Sequence, residues 1–237
     1  MVCGPQPIRY HVRRALQCVT VSETRMGQSR YTKFMTLPDA PISRNTRILR
    51  DLQVARTALI KERTRLRNRG HVQTNTMLKR QTRTRLTLVE KQIAELDTEI
   101  AKLIDTDERS ARQRDILRSI PGLGQVATAA ILTFLPEIGT LDRRQVSSLA
   151  GLVPHARESG QWKGRSFISG GRKPLRDALY MPALVAMRHN PDLKAKYEDL
   201  CAAGKPAKLA IVAIMRKLIE MANALVKADR TWVEKTA

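Results

Sequence analysis

Between Leu149 and Tyr180 the chain sets three hydroxyls, Ser159, Ser166 and Ser169, among six cations: Arg157, Lys163, Arg165, Arg172, Lys173 and Arg176. A serine beside guanidinium groups is the pairing that attack on a phosphodiester needs. The hydroxyl oxygen is the nucleophile, and the cations take up charge that grows on a pentavalent phosphorus. Spacing alone favours plainer roles, in which such serines cap helices or bind phosphate. The glycines around them (Gly151, Gly160, Gly164, Gly170, Gly171) mark a basic loop that leads into a basic helix.

A second constellation is Ile120-Pro121-Gly122-Leu123-Gly124, followed by the small apolar run Gln125-Val126-Ala127-Thr128-Ala129-Ala130. It resembles a helix–hairpin–helix DNA-binding motif. Gly122 and Gly124 permit a tight turn free of side chains, and Leu123 can plug the core between the helices. The unpaired N–H groups of the turn and of the next helix's first turn, at Gln125, would then face a phosphate. Such contacts read backbone and not bases. The competing reading is a plain corner between two core helices.

Helices must position both constellations. Over residues 45–105, Ile48, Leu52, Ala55, Leu59 and Leu66 form one stripe, and Leu86, Val89, Ile93, Leu96, Ile100 and Leu103 a second at 3-4-3-4-3. Two such stripes joined by a turn around Gly70 and His71–Thr76 predict an antiparallel coiled-coil hairpin. From Arg44 to Arg85 its cations include Arg47, Arg50, Lys61, Arg65, Arg69, Lys79, Arg80 and Arg83, opposed only by Asp51 and Glu62. That imbalance makes the end near the turn a candidate phosphate rail, against the alternative of a solvated face. Further helices are predicted from Asp115–Ile120, Gln125–Leu135, Arg143–Ala150 (capped by Asp142 and stopped by Gly151) and Leu175–Arg188. Two more follow Asn190-Pro191 and run through Ile211, Met215, Leu218, Ala222 and Leu225. Pro182 should kink the helix that contains it. No alternating strand stands out, so the fold class is all-α. The domains are an irregular basic segment over 1–43, the coiled-coil hairpin over 44–108, and a compact helical domain with the helix–hairpin–helix over 109–237.

Composition narrows the partners. Forty-three Lys and Arg against 22 Asp and Glu give a formal net charge of +21. An excess of that size on 237 residues points to a polyanionic partner, nucleic acid above all. Aromatic residues are only 4%, which argues against a base-stacking platform. Cys3, Cys18 and Cys201 have no metal-like spacing and read as reduced thiols of a cytoplasmic protein. His11, His71, His155 and His189 lie far apart, so no metal site is expected. No apolar run is long enough to span a membrane and no signal peptide is evident.

The run IPGLGQVATAAIL, the AGLVP…SG…GGR…LR.ALYM block, the RHNP turn and the ending AAGKPAKLAIVAIMRKL, in that order, resemble the C-terminal half of the DEDD-type insertion-sequence transposases related to the Piv and MooV DNA invertases. The likeness covers about residues 45–230. It implies DNA as partner, with an element-encoded guide RNA that directs target choice. It also implies a serine nucleophile that Ser159 matches best, with Ser169 second, and phosphate contacts from Arg157, Lys163, Arg165, Arg172, Lys173 and Arg176. Complete family members add an N-terminal RNase H/RuvC-like domain whose four acidic ligands hold Mg²⁺. Before Glu90 this sequence offers only Glu23, Asp39, Asp51 and Glu62. The expectation is therefore a chain that lacks the acidic domain, binds no cofactor itself, and is inactive alone in strand exchange. Its hairpin would provide a route to a homo-oligomer. The rival reading is a non-catalytic helix–hairpin–helix nucleic-acid-binding protein.

Overall fold

The computed structural model describes residues 44–155, 158–159, 162–164 and 166–234; of residues 158, 159, 162 and 163 it describes the backbone only. The expected 1–43 segment lies outside the described residues. Those described form eight helices and four two-residue strands: α1 Arg44–Val72, α2 Thr76–Asp105, α3 Glu108–Ser119, α4 Gln125–Phe134, α5 Arg143–Leu149, β1 Pro154–His155, β2 Glu158–Ser159, β3 Trp162–Lys163, β4 Phe167–Ile168, α6 Lys173–His189, α7 Pro191–Ala202 and α8 Ala207–Lys227. The class is all-α, as the periodicities predict.

α1 and α2 pack antiparallel, and Arg56 reaches Asp97 while Arg67 reaches Glu90 at 2.7 Å. Their turn is shorter than the sequence suggests. Gly70 and His71 are still helical, and Asn75 starts α2 by accepting from the amides of Met77 and Leu78. Gly70 does not break α1, because a helix tolerates one glycine at a cost of about 1 kcal/mol and the Asn75 cap offers a stronger boundary. The α2 stripe lies where expected, with Val89, Ile93 and Ile100 buried. The α1 stripe is rotated from its predicted face. Leu49, Gln53 and Leu66 are buried, whereas Ile48 is 37% exposed and Ala55 is exposed. Leu49 and the α2 residues Ile100 and Ile104 belong to the same core as the later helices. That junction, not the α1–α2 seam alone, sets the rotation of α1.

α4 is the centre of that core: every residue from Ala127 to Phe134 is buried. Its alanines leave room for α3, α6, α1 and α2 to pack around it. α8 presents Ile211, Met215, Leu218, Ala222 and Leu225 to the same core, along with Ile214 and Ile219. Asn223 of α8 is buried: its Oδ1 accepts from the Gly139 amide and its Nδ2 donates to the Leu141 carbonyl, both at 2.8 Å. The Asp142 amide donates to Gln145 Oε1 at 2.9 Å to start α5, and Asn190 Oδ1 accepts from Leu193 N at 3.2 Å to start α7. α6 continues through Pro182, which is buried; proline cannot donate to the Ala178 carbonyl one turn back.

A further departure from the sequence expectation lies between α5 and α6. The stretch expected as a glycine-rich loop contains antiparallel pairs. β1 lies against β4 (Pro154 opposite Ile168, His155 opposite Phe167) and β2 against β3 (Glu158 opposite Lys163, Ser159 opposite Trp162). The nesting is that of one β-hairpin. Strands of two residues are too short to show alternation, which is why no periodicity announces them.

Candidate nucleic-acid interface

The β-hairpin is mounted on a neck built from backbone. α5 is followed, after Ala150, by Gly151, with φ +66°, and α6 is preceded by Gly170 and Gly171, with φ +67° and +63°. All three sit in left-handed conformations that side-chain-bearing residues rarely adopt. The two sides of the neck also cross too closely for a Cβ. One added at Gly171 would collide with the Gly151 backbone and lie 2.8 Å from the Leu149 carbonyl oxygen. The Arg172 amide closes the neck by donating to that same carbonyl at 2.7 Å.

Two of the predicted phosphate-binding arginines hold this neck. The Arg176 guanidinium donates from Nη1 to the carbonyls of Gly170 at 2.7 Å and Gly151 at 3.3 Å. Arg172 donates through both terminal nitrogens to the Glu137 carboxylate, each at 2.7 Å, and to the Phe134 carbonyl at 2.8 Å. That fork fixes the start of α6 to the end of α4. Its hydrogen bonds, with partial burial opposing them, hold the Glu137 carboxyl below the ordinary carboxylate value. Glu137 is a partner the sequence did not suggest; a lone Glu after Leu-Pro carries no motif.

The other predicted residues divide by exposure. Ser159 is on β2, one residue before the two-residue connection to β3, and Lys163 is on β3. Ser169 is exposed beside the neck glycines. Lys173 is exposed and pairs with Asp177 at 2.5 Å. Arg157 and Arg165 lie outside the described residues.

The turn between α3 and α4 places its two glycines in different settings. Gly122, at φ +101°, faces α6: a Cβ there would lie 2.8 Å from the Pro182 carbonyl oxygen and 2.9 Å from the Ala186 amide nitrogen. Its missing side chain therefore serves helix packing. Gly124 has nothing within 4 Å of such a Cβ. It precedes Gln125 and Val126, which are exposed and whose amides have no hydrogen-bond partner among the described residues. Leu123 is 4% exposed and plugs the core, as its place in the motif predicts.

Residues 114–198 match the model of the transposase IS116/IS110/IS902 family, a span from within α3 through the glycine turn, the neck and the β-hairpin into α7. Those residues are similar to that family's transposase domain. The pilin gene-inverting protein of Moraxella bovis is 31% identical over 144 residues, which cover 59% of this chain and 45% of that protein. The uncharacterized 43.6 kDa protein of insertion element IS110 from Streptomyces coelicolor is 30% identical over 152 residues, 63% of this chain and 36% of that one. The 42 kDa protein of insertion element IS900 from Mycobacterium paratuberculosis is 30% identical over 146 residues, 58% and 36% of the two chains. The match thus spans less than half the length of each of these relatives. Within the matched span both the glycine turn and the arginine-pinned neck are internal features, whereas the whole helical hairpin lies before it. No helix among the described residues is long and apolar enough to cross a membrane.

Proposed function

We propose that this chain is the DNA-handling part of an insertion-sequence transposase, gripping DNA through the glycine turn, the cationic α1–α2 hairpin and the β-hairpin. The observation that carries the reading is the family match over residues 114–198, which centres on a β-hairpin bearing Ser159 on a neck braced by Arg172 and Arg176. The turn acts as a helix–hairpin–helix: the free amides of Gln125 and Val126 and the positive end of α4 meet a phosphate. The α1–α2 pair acts as a coiled-coil stalk, and its basic face adds sequence-independent attraction.

In the chemical step Ser159 Oγ attacks phosphorus. A Ser–O–P bond forms as one sugar P–O bond breaks, and the departing sugar oxygen takes up a proton while the serine loses its own. Cations of the hairpin, Arg157, Lys163 and Arg165, neutralise the phosphoryl oxygens. Arg172 and Arg176 act one step back by keeping the neck rigid. Among the described residues no three His, Cys, Asp or Glu are grouped to hold a metal ion, and no step above passes through one. A guide RNA is the partner that would select the target.

The decisive measurement is binding of the full chain to a labelled duplex across a salt series. Sub-micromolar binding in dilute buffer with a steep salt slope is the expected result; no binding of duplex or RNA in dilute buffer overturns the reading. A covalent DNA adduct that persists in Ser159→Ala would remove Ser159 from the nucleophile's role.

A further inference from the structure

The helical hairpin meets α3 and α4 over a cavity of about 230 Å³. Its floor is apolar, built from Ile100, Ala101 and Ile104 of α2 and Ala129 of α4. Two polar side chains of buried residues line it, those of Gln53, 4% exposed, and Thr128, 1% exposed. The Thr128 Oγ1 is buried and has no hydrogen-bond partner. A buried polar group is ordinarily satisfied, so one left open on a cavity points to something that fills it. At the mouth stand the exposed first turn of α4, with the free amides of Gln125 and Val126, and the exposed Arg118, which has no ion-pair partner among the described residues.

The charges around the cavity balance, three guanidiniums against three carboxylates, but they are not evenly placed. Asp97 is held by Arg56, and Asp105 by Arg114, which also reaches Asp115 at 2.9 Å. Arg118 and the positive end of α4 stay uncompensated. An oxyanion is favoured at the entrance, therefore, and a flat apolar body with hydrogen-bonding edges on the floor.

We infer that this cavity binds a single nucleotide, with its phosphate at Arg118 and the α4 amides and its unpaired base over Ile100 and Ile104, against Gln53 and Thr128. The inference rests on the nucleic-acid reading only for the source of that nucleotide, which is either free in solution or extruded from a strand. Because the pocket joins α1 and α2 to α3 and α4, occupancy would also tie the stalk to the transposase domain.

The test titrates the full chain with adenosine 5′-monophosphate, inorganic phosphate and adenosine. The monophosphate should bind about tenfold more tightly than either part. Arg118→Ala and Thr128→Val should each weaken it about five- to tenfold, the scale of one lost hydrogen bond to a charged or buried group, with the melting temperature unchanged by Arg118→Ala. A duplex carrying one bulged adenosine is then added in competition, beside a fully paired duplex. Displacement by the bulged duplex alone assigns the site to an extruded base; displacement by neither assigns it to a free nucleotide. Monophosphate binding no tighter than phosphate, or unaltered in both variants, overturns the inference. Monophosphate binding that survives while no duplex binds would leave the pocket standing and sink the DNA-handling reading instead.

Discussion

In α1 three of 29 residues are buried, whereas in α8 nine of 21 are, although both are long helices with an apolar stripe. The difference is the number of neighbours. Most of α1 is covered by one helix, α2, so two of the residues on its inner face can be Gln53 and Arg56. α8 is wrapped by α3, α5, α6 and α7, and its inner face is apolar apart from Asn223, whose amide is bonded at both its oxygen and its nitrogen. A singly covered helix leaves most of its surface free for charge; a surrounded helix leaves almost none. The α1–α2 hairpin thus leaves room for charge, and the helices from α3 to α8 carry the packing.

The comparison can be broken at its packed side first. Leu218→Ala, at a position with no exposure, should destabilise the fold by about 2–5 kcal/mol, while Leu66→Ala in the small stalk cluster should lose distinctly less, because its surroundings can close in. Equal losses in urea unfolding would erase the contrast. Next comes Gly122→Ala, where both the left-handed backbone and the approach to α6 oppose a Cβ; a loss of about 1–3 kcal/mol is expected, against under about 0.5 kcal/mol for Gly124→Ala, which opens onto free space.

A smaller effect concerns the neck. Glu137 has a depressed pKa in the folded state, so its contribution is complete above its ordinary value of 4.5 and is lost as pH falls through the lower folded value. Acid unfolding of Glu137→Gln should accordingly lack part of the wild-type pH dependence below 4.5, and identical acid profiles would deny the Arg172 fork its role. The smallest effect on stability, and the one that sharpens the stalk's part, is Lys61→Ala with Arg65→Ala and Arg69→Ala. These exposed cations have no ion pairs among the described residues, so unfolding free energy should move by less than about 0.5 kcal/mol. The slope of log affinity for duplex against log salt should drop by roughly one for each phosphate that the variant no longer neutralises. An unchanged slope would make the stalk's charge a solvated surface.

Much of this organisation is legible residue by residue. The 4-3-4-3 spacing from Ile211 to Leu225 predicts the buried face of α8, and Asp142 and Asn190 predict the starts of α5 and α7, because periodicity and capping are local and each is decided within a turn or two. The likeness of the Ile120–Leu132 run to a known family is equally readable, and the family match bears it out. Other assignments depend on what lies across space. Nothing near Arg172 in sequence announces Glu137, 35 residues away, and nothing near Gly122 announces the α6 backbone that a Cβ would meet.

The sequence by itself determined the class of the fold, the boundaries of most helices and the cationic character of the surface, since these follow from side-chain type and spacing along one chain. Only the tertiary structure decided which face of α1 turns inward, which arginines are committed to the protein's own carbonyls and carboxylates, and that Gln53 and Thr128 open onto a common cavity. Those outcomes depend on long-range packing, where a residue's role is set by the atoms that crowd it and not by its neighbours in the chain.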